Sequence, residues 1–297
     1  MAGLLRVLSD ASRSVILRPI HPTERSLWPL DMAQGHGERV KRVESMAGHS
    51  KWAGIKHKKA IVDAQRGKIF SRVVREITVA AKMGGGSPEA NPRLRLAMAK
   101  AREANMPKDK VEQAIKKGTG ELPGVSYDEM VLEGYGPGGV AILVQALTDN
   151  KNRTTAELRS LFTNHGGNVA GAGSVSWQFQ KRGLIHVGAS TIDEDRLMGI
   201  VLEAGADDLA HEGEHYAITT EPQRLEAVKQ ALAANHLAWE SADLTLIASS
   251  SVRVEDPAQA KQLLILLDKL EDHEDVQHVF ANFDIPDAIL AEHAAAA

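Results

Sequence analysis

The sequence contains no cysteine, few aromatic residues and no long hydrophobic run. The absence of cysteine excludes disulfides, thiolate zinc sites and cysteine nucleophiles, and it suits a reducing compartment. Phe, Trp and Tyr make up only 4% of the residues, so a large stacking platform for single-stranded bases is not expected. No apolar run approaches the roughly 20 residues that span a bilayer. The sequence therefore predicts a soluble, cytoplasmic protein without a membrane partner.

The charges are distributed unevenly along the 297 residues, although the formal net charge is only -4. Residues 46–118 hold 17 Lys and Arg against 6 Asp and Glu, whereas residues 119–297 hold 11 against 28. Such asymmetry indicates a polyanion-binding module attached to an acidic body, and nucleic acid is the leading candidate for the polyanion. The 43% of hydrophobic residues and the chain length together predict two or three folded domains.

Residues 46–123 have the pattern of a small, basic helical domain. Apolar residues recur at intervals of four over residues 69–77 and form one face of a helix. That helix should end at the three glycines 84–86, and Asn91 with the proline after it is typical of the start of a second helix. A third helix is expected to stop at Gly118, before a Gly-rich linker.

The remainder of the chain alternates between strand-like and helical patterns. Residues 183–247 follow the order β-α-β-β-α-β, which is typical of a ferredoxin-like domain. Residues 124–182 and 248–297 flank it and together form the other mixed unit, so the ferredoxin-like domain is predicted to be inserted in it. Two separate strands are expected at 175–180 and 183–187. The predicted fold class is multidomain α+β, with an N-terminal helical bundle followed by two α+β domains.

Residues 1–45 differ from the rest, with three prolines close together and a polar run at their end. Our interpretation is a disordered extension, with Met46 as the natural initiator of an over-extended start. The alternative is a transit peptide, suggested by Arg6, Arg13 and Arg18 beside several serines, which would make the location mitochondrial. Five acidic residues in the stretch argue against that alternative.

The densest positive charge follows Met46. Basic side chains there could meet phosphates, and Trp52 or His57 could stack on an exposed base. The alternatives are a solvated helix face for the charges and a core position for Trp52. The candidate nucleic-acid contacts are Lys51, Trp52, Lys56, His57, Lys58, Lys59, Arg66, Lys68, Arg72 and Arg75.

Two other segments could contact an anion. Lys151 and Arg153 lie where a strand leads into a helix, among Asp and Asn residues that are typical helix caps. Because a helix N-terminus favours anions, these two residues are candidates for a secondary contact with RNA, DNA or protein. The glycine-rich residues 166–173 could cradle a phosphate, or they could simply connect a helix to a strand.

Two motifs match enzyme signatures in the wrong structural context. Gly134, Gly136 and Gly139 have the spacing of a dinucleotide-binding loop, but a strand follows where that loop requires a helix. His211 and His215 have zinc-protease spacing, but they flank a predicted hairpin tip instead of sharing one helix face. We therefore predict no catalytic residue, no metal ligand and no cofactor, and the protein is not expected to be an enzyme.

Four stretches of the sequence resemble the YebC family. They read MAGHSKW…IKHKKA…D…RGKIFS…REI from Met46, NPRLRLAMAKAREANMPKDKVEQAIKKGTGE at 91–121, YDEMVLEGYGPGGVAILVQALTDNKNRT at 127–154 and GGNVAGAGSVSWQF at 166–179. This family includes the PmpR-type transcriptional regulators and the mitochondrial translational activator of cytochrome oxidase subunit one. The resemblance implies a helical domain, two α+β domains, no enzymatic activity, and a role in transcription control or, in some members, at the ribosome.

The charge pattern and the resemblance together predict a transcriptional regulatory protein that binds DNA through its basic N-terminal helical domain. The alternative is a ribosome-associated translational activator that contacts ribosomal RNA, because the positive charge fits either polyanion. A metal-dependent hydrolase built on His211 and His215 is a third hypothesis. The acidic domains are expected to arrange the nucleic-acid contact, to form a homodimer, or to meet other proteins.

Overall fold

The computed structural model describes residues 63–286 and 288–290, which belong to one compact unit of the chain. Three helices come first: α1 (Asp63–Gly84), α2 (Pro92–Glu103) and α3 (Lys108–Thr119). Their shared core contains Ile77, Leu94 and several alanines, all of them buried. Asn91 caps α2 as predicted, since its side chain accepts a hydrogen bond from the backbone N–H of Leu94 at 3.1 Å.

The prediction that the third helix stops at Gly118 is wrong. Helix α3 continues to Thr119 and is ended by Gly120, whose φ of 83° lies in the left-handed region. Gly118 serves a different purpose, because a Cβ at this position would lie 2.4 Å from the carbonyl oxygen of Thr78 in α1. The glycine therefore allows the backbones of α1 and α3 to approach each other closely.

The rest of the described chain consists of short strands and helices. In order they are β1 (Asp128–Tyr135), β2 (Ala141–Thr148), α4 (Lys151–Asn164), β3 (Asn168–Val169), β4 (Phe179–Gly188), α5 (Glu194–Glu203), β5 (Ala206–Glu212), β6 (His215–Thr220), α6 (Leu225–Ala234), β7 (Ser241–Ala248), β8 (Val252–Arg253), α7 (Pro257–Asp272), β9 (Val276–Ala281) and β10 (Phe283–Asp284). This mixture of helices and antiparallel sheets confirms the α+β class.

The strands form two four-stranded antiparallel sheets. The first has the order β3-β1-β2-β9, and the second has the order β5-β6-β4-β7. Strands β8 and β10 form a separate parallel pair. The second sheet with α5 and α6 follows the chain order β-α-β-β-α-β. Helices α4 and α7 cover one face of the first sheet, and their buried residues join it in the largest hydrophobic core.

The strand predicted at 183–187 is present as part of β4, but the separate strand predicted at 175–180 is wrong. A short 3-10 turn at Ser176–Gln178 leads into the single strand β4. The backbone N–H groups of Val175 and Ser176 donate to the carboxylate of Glu133 instead of to a neighbouring strand. Gly183 does not break the strand, because its missing side chain makes room for Thr220 and Leu225.

Among the described residues, no helix combines the length and the hydropathy needed to cross a membrane.

Candidate nucleic-acid interface

Most of the predicted nucleic-acid contacts precede α1. Lys51, Trp52, Lys56, His57, Lys58 and Lys59 lie outside the described residues, and Arg66 is described only as part of the α1 backbone. Their assignment stays a prediction. Lys68, Arg72 and Arg75 are described with their side chains, at positions i, i+4 and i+7 of α1, and these spacings place them on one face of the helix.

That face of α1 lies against the C-terminal end of α7. The Lys68 ammonium is 3.1 Å from a carboxylate oxygen of Asp272, and both side chains are at least half exposed. The Arg72 guanidinium donates to the backbone carbonyl of Glu271. The pKa of Arg72 is lowered, because the effect of burial is larger than the opposing effect of the nearby carboxylates. We call the contact of Lys68, Arg72 and Arg75 with residues 271–275 the α1–α7 junction.

Arg75 is the most buried cation of the α1–α7 junction, with 9% of its side chain exposed. Its guanidinium lies 2.6 Å from Glu274 and 3.4 Å from Asp275, and 5.6 Å from the ring centre of Tyr127. These partners surround Arg75 with carboxylates and one aromatic face. In this conformation, therefore, Arg75 faces the acidic body of the protein.

Asp275 connects the α1–α7 junction to α4. Its side chain is 4% exposed and accepts hydrogen bonds from Thr154 at 2.6 Å and from Arg153 at 2.9 Å. Burial alone would raise the pKa of Asp275, but the hydrogen bonds from Thr154 and Arg153 and the nearby positive charges hold it below its ordinary value. Asp275 is thus a stable anion with several independent partners.

The two residues of the predicted secondary contact, Lys151 and Arg153, have different surroundings in the structure. Asn150 caps α4 by accepting from the backbone N–H of Arg153 at 3.1 Å, as the capping interpretation expected. The Arg153 guanidinium forms ion pairs with Asp149 and Asp275, and these contacts raise the pKa of Arg153 above its ordinary value. Lys151 is exposed and has no ion pair within the described residues.

Helices α2 and α3 carry further exposed cations that the sequence analysis did not select. None of them forms an ion pair with another described residue, in contrast to Lys68 and Arg75. On α2, residues 95 and 102 are seven apart and share a face. The set consists of Arg95, Lys100, Arg102, Lys108, Lys110, Lys116 and Lys117. The signal in the sequence was the excess of Lys and Arg over Asp and Glu in these two helices.

The dinucleotide-loop spacing occurs in a β-hairpin. Gly134 lies within β1, and a 3-10 turn at Pro137–Gly139 leads directly into β2. A Cβ on Gly134 would lie 2.7 Å from the Phe162 ring, and one on Gly136 would lie 2.9 Å from Ile142 and Leu263. These glycines accommodate core side chains, and the helix N-terminus that a pyrophosphate requires does not follow them.

The zinc-protease spacing also lies in a hairpin, between β5 and β6. His211 pairs across the strands with Tyr216, and Glu212 pairs with His215. Because side chains alternate along a strand, His211 and His215 lie on opposite faces of the sheet. Within the described part of the chain, no group of three or more His, Cys, Asp and Glu residues could hold a metal ion.

The glycine-rich loop does hold an anion, and that anion is a carboxylate of the protein itself. Glu133 is buried, and its carboxylate accepts from the backbone N–H groups of Gly173, Val175 and Ser176 at 2.7–2.9 Å. Burial raises the pKa of Glu133, but these hydrogen bonds together lower it below its ordinary value. The backbone donors that a phosphate would need are therefore already used.

Comparison with known proteins places this architecture in a family. A model described as the TACO1/YebC protein N-terminal domain matches residues 50–121, and one described as the TACO1/YebC second and third domain matches residues 127–283.

Individual relatives match over most of their length. A "Probable transcriptional regulatory protein" of Syntrophobacter fumaroxidans is 53% identical over 245 residues, which are 82% of this chain and 98% of the relative. One of Geobacter sulfurreducens is 54% identical over 240 residues, or 81% of this chain and 96% of the relative. The crystal structure of a conserved hypothetical protein from Aquifex aeolicus has 49% identity and a TM-score of 0.70, covering 79% of this chain and 97% of that one.

Proposed function

The chain belongs to the TACO1/YebC family, and from this premise we propose that it is a non-catalytic transcriptional regulator that binds DNA through its basic N-terminal helical domain. The observation that carries the proposal is the set of exposed cations on α2 and α3. Cations that form no ion pair with another described residue are available to neutralise phosphates. Lys56, Lys58 and Lys59, which lie outside the described residues, are proposed as further phosphate contacts on the grounds of their charge.

The binding mechanism is electrostatic. Each Lys or Arg that meets a phosphate releases counterions, so the affinity falls steeply as salt rises. The phosphate contacts position the DNA, and reading of the base sequence requires further contacts that we do not assign.

The acidic body would restrict the DNA to the helical side of the molecule. In the second sheet, one cross-strand row consists of Asp208, Thr219, Leu184 and Asp243. This row lies on the face opposite Ile185 and Ile218, which pack against α5 and α6. Two of the four side chains in this row are carboxylates, and none is an aromatic ring that could stack on a base. Repulsion of phosphates from this face supports a docking geometry in which only the bundle touches DNA.

One pair of measurements tests the proposal against the ribosome. Purified protein is titrated with a promoter duplex in the presence of a shuffled competitor, and cell lysate is sedimented in parallel to recover ribosomes. We expect promoter preference that persists at moderate salt, without cosedimentation. Cosedimentation with ribosomes, combined with DNA binding that shows no sequence preference, would overturn the transcriptional role and favour translation.

Variants locate the DNA surface. We expect the triple replacement of Lys110, Lys116 and Lys117 by Gln to weaken binding and to lower the salt slope by about 0.9 for each phosphate that the variant no longer neutralises. The matched control replaces Lys181, Lys261 and Lys269 of the acidic body by Gln, which changes the net charge equally. Equal effects of these two triple replacements on DNA binding would disprove the location of the DNA surface on α3.

Charge reversal of Lys56, Lys58 and Lys59 to Glu should abolish DNA binding, while the circular dichroism spectrum stays unchanged.

A further inference from the structure

The α1–α7 junction joins two parts of the chain with opposite charge. Every cation comes from α1, and every acceptor comes from residues 271–275 at the end of α7. The cations are the ones that the sequence analysis selected as phosphate contacts. Carboxylates and carbonyl oxygens thus occupy, in this conformation, the positions that phosphate oxygens would take on α1.

From this arrangement we propose that the acidic end of α7 is an autoinhibitory mimic of a polyanion. Nucleic acid that captures Lys68 and Arg72 displaces residues 271–275 and releases the bundle from the acidic body. This inference rests on the proposed function, because it describes how the same basic surface is regulated.

The contacts at Lys68 and Arg72 are weak enough to be exchanged. Lys68 and Asp272 are 50% and 61% exposed, and exposed ion pairs contribute only about 0.2–1 kcal/mol to stability. Arg72 is held by the backbone carbonyl of Glu271, while its buried Nε atom has no hydrogen-bond acceptor among the residues that the structure describes. A phosphate offers several oxygens in a geometry that a guanidinium can bind in a bidentate manner. When a phosphate replaces the Glu271 carbonyl, the Arg72 guanidinium therefore gains hydrogen-bond acceptors.

Release of Arg75 would not leave its buried partner alone. Asp275 keeps the guanidinium of Arg153 and the hydroxyl of Thr154, both within 2.9 Å. A buried carboxylate stripped of all its partners would strongly oppose opening, because its charge would be left uncompensated. Here that opposition is reduced, because α4 supplies a second cation from within the acidic body.

The β1 side of the bundle is held by the chain itself, because residues 120–127 join α3 covalently to β1, and two ion pairs lie beside this connection. Near the end of α1, the Lys82 ammonium is 3.4 Å from Asp128, and at the start of α2 the Arg93 guanidinium is 2.5 Å from Glu129. Both acids lie at the beginning of β1, directly after the linker that joins the bundle to the body. Opening is therefore expected at the α7 side, while the β1 side stays attached.

The test measures binding and separation together in the full-length protein. Because the chain lacks cysteine, Gln113→Cys in α3 and Ser160→Cys in α4 can be spin-labelled selectively. Both positions are exposed. The distance between the labels is recorded by electron-electron double resonance at low salt, with and without a short duplex oligonucleotide of mixed sequence.

We expect the duplex to lengthen the distance between the labels. We also expect Asp272→Asn to tighten duplex binding by about two- to fivefold, the equivalent of one exposed ion pair. Glu103→Gln is the control, since Glu103 is an exposed acid of the bundle itself that forms no ion pair with a described residue. If proximity of negative charge alone mattered, this control would tighten binding at least as much as Asp272→Asn.

The outcomes separate the two proposals. Duplex binding with an unchanged distance, or equal effects of Asp272→Asn and Glu103→Gln, would overturn the autoinhibitory contact and leave the proposed function intact. Failure of both the unmodified chain and Asp272→Asn to bind the duplex would overturn both proposals. Binding by Asp272→Asn alone would support autoinhibition in its strongest form.

Discussion

At the scale of single residues, Glu133 shows how one buried charge shapes a loop that looked like a ligand site. The sequence left open whether the glycine-rich residues 166–173 cradle a phosphate or only connect a helix to a strand, and the structure places backbone N–H donors around an anion. That anion is the carboxylate of Glu133, which reaches across from β1. The same interaction prevents residues 175–178 from joining a strand, so one side chain explains both the filled cradle and the missing strand.

Replacement of Glu133 by Gln should destabilise the protein by about 1–3 kcal/mol at neutral pH, because an amide presents an N–H group to donors that have no other acceptor. Urea denaturation followed by circular dichroism measures the effect. Glu203→Gln is the control, because Glu203 is an exposed residue of α5, and it should change stability by less than about 0.5 kcal/mol. Equal stability of the two variants would contradict this account.

The contribution of Glu133 should also depend on pH. Its folded-state pKa is lowered, so the stabilisation is fully present above the unfolded pKa and is lost as the pH falls through the folded pKa. Relative to the parent protein, the deficit of Glu133→Gln should therefore shrink below about pH 4. A deficit that stayed constant down to about pH 2 would show that the charge of Glu133 is not the cause.

At the scale of secondary-structure elements, the bundle depends on how closely its helices approach. Helices α1 and α3 come closest at Gly118, where the neighbouring atoms are the backbone carbonyl of Thr78 and the small side chain of Ala81. Close approach of the two helices packs their backbones and small side chains densely against each other.

Gly118→Ala should destabilise the bundle by about 1–3 kcal/mol, since the new methyl group would overlap the Thr78 carbonyl. This result opposes intrinsic helix propensity, which favours Ala over Gly by about 1 kcal/mol. Gly199→Ala in α5 is the matched control, because nothing lies within 4 Å of its added Cβ, and it should be neutral or stabilising. Thermal unfolding of both variants measures the difference, and a stabilised Gly118→Ala would refute the close-packing role.

At the scale of the whole molecule, the opposite charges of the bundle and the body have two consequences. They hold the two parts together at the α1–α7 junction, and they leave a surplus of positive charge on α2 and α3. The first consequence uses cations near the middle of α1, and the second leaves cations for an external polyanion. Net charge alone, at -4, would have predicted no affinity for nucleic acid.

Lysine acetylation in the presence of duplex DNA should therefore protect one side of the molecule. We expect slower modification of Lys108, Lys110, Lys116 and Lys117, and unchanged modification of Lys261 and Lys269 on α7. Mass spectrometry of the peptides gives the rates. High salt should remove the protection, because the contacts are made with phosphates. Protection on α7 instead would place the DNA on the acidic body and contradict the proposed geometry.

The sequence by itself determined the features that depend on neighbouring residues. Periodicity identified the helices and most strands, Asn91 identified a helix start, and the excess of Lys and Arg identified the basic part of the chain. The α+β class and the chain order of the second sheet followed from the same local patterns. Each of these signals is contained within about 20 residues, so no knowledge of distant contacts was needed.

Only the tertiary structure decided what the individual polar residues contact. The sequence placed Lys68, Arg72 and Arg75 on one face of a helix, but their partners at 271–275 lie about 200 residues away along the chain. Glu133 was overlooked and Gly118 was misread for the same reason, because a strand carboxylate that fills a distant loop and a glycine packed against another backbone are both tertiary contacts. Helix geometry fixes which side chains share a face, whereas folding of the whole chain fixes which neighbour that face meets.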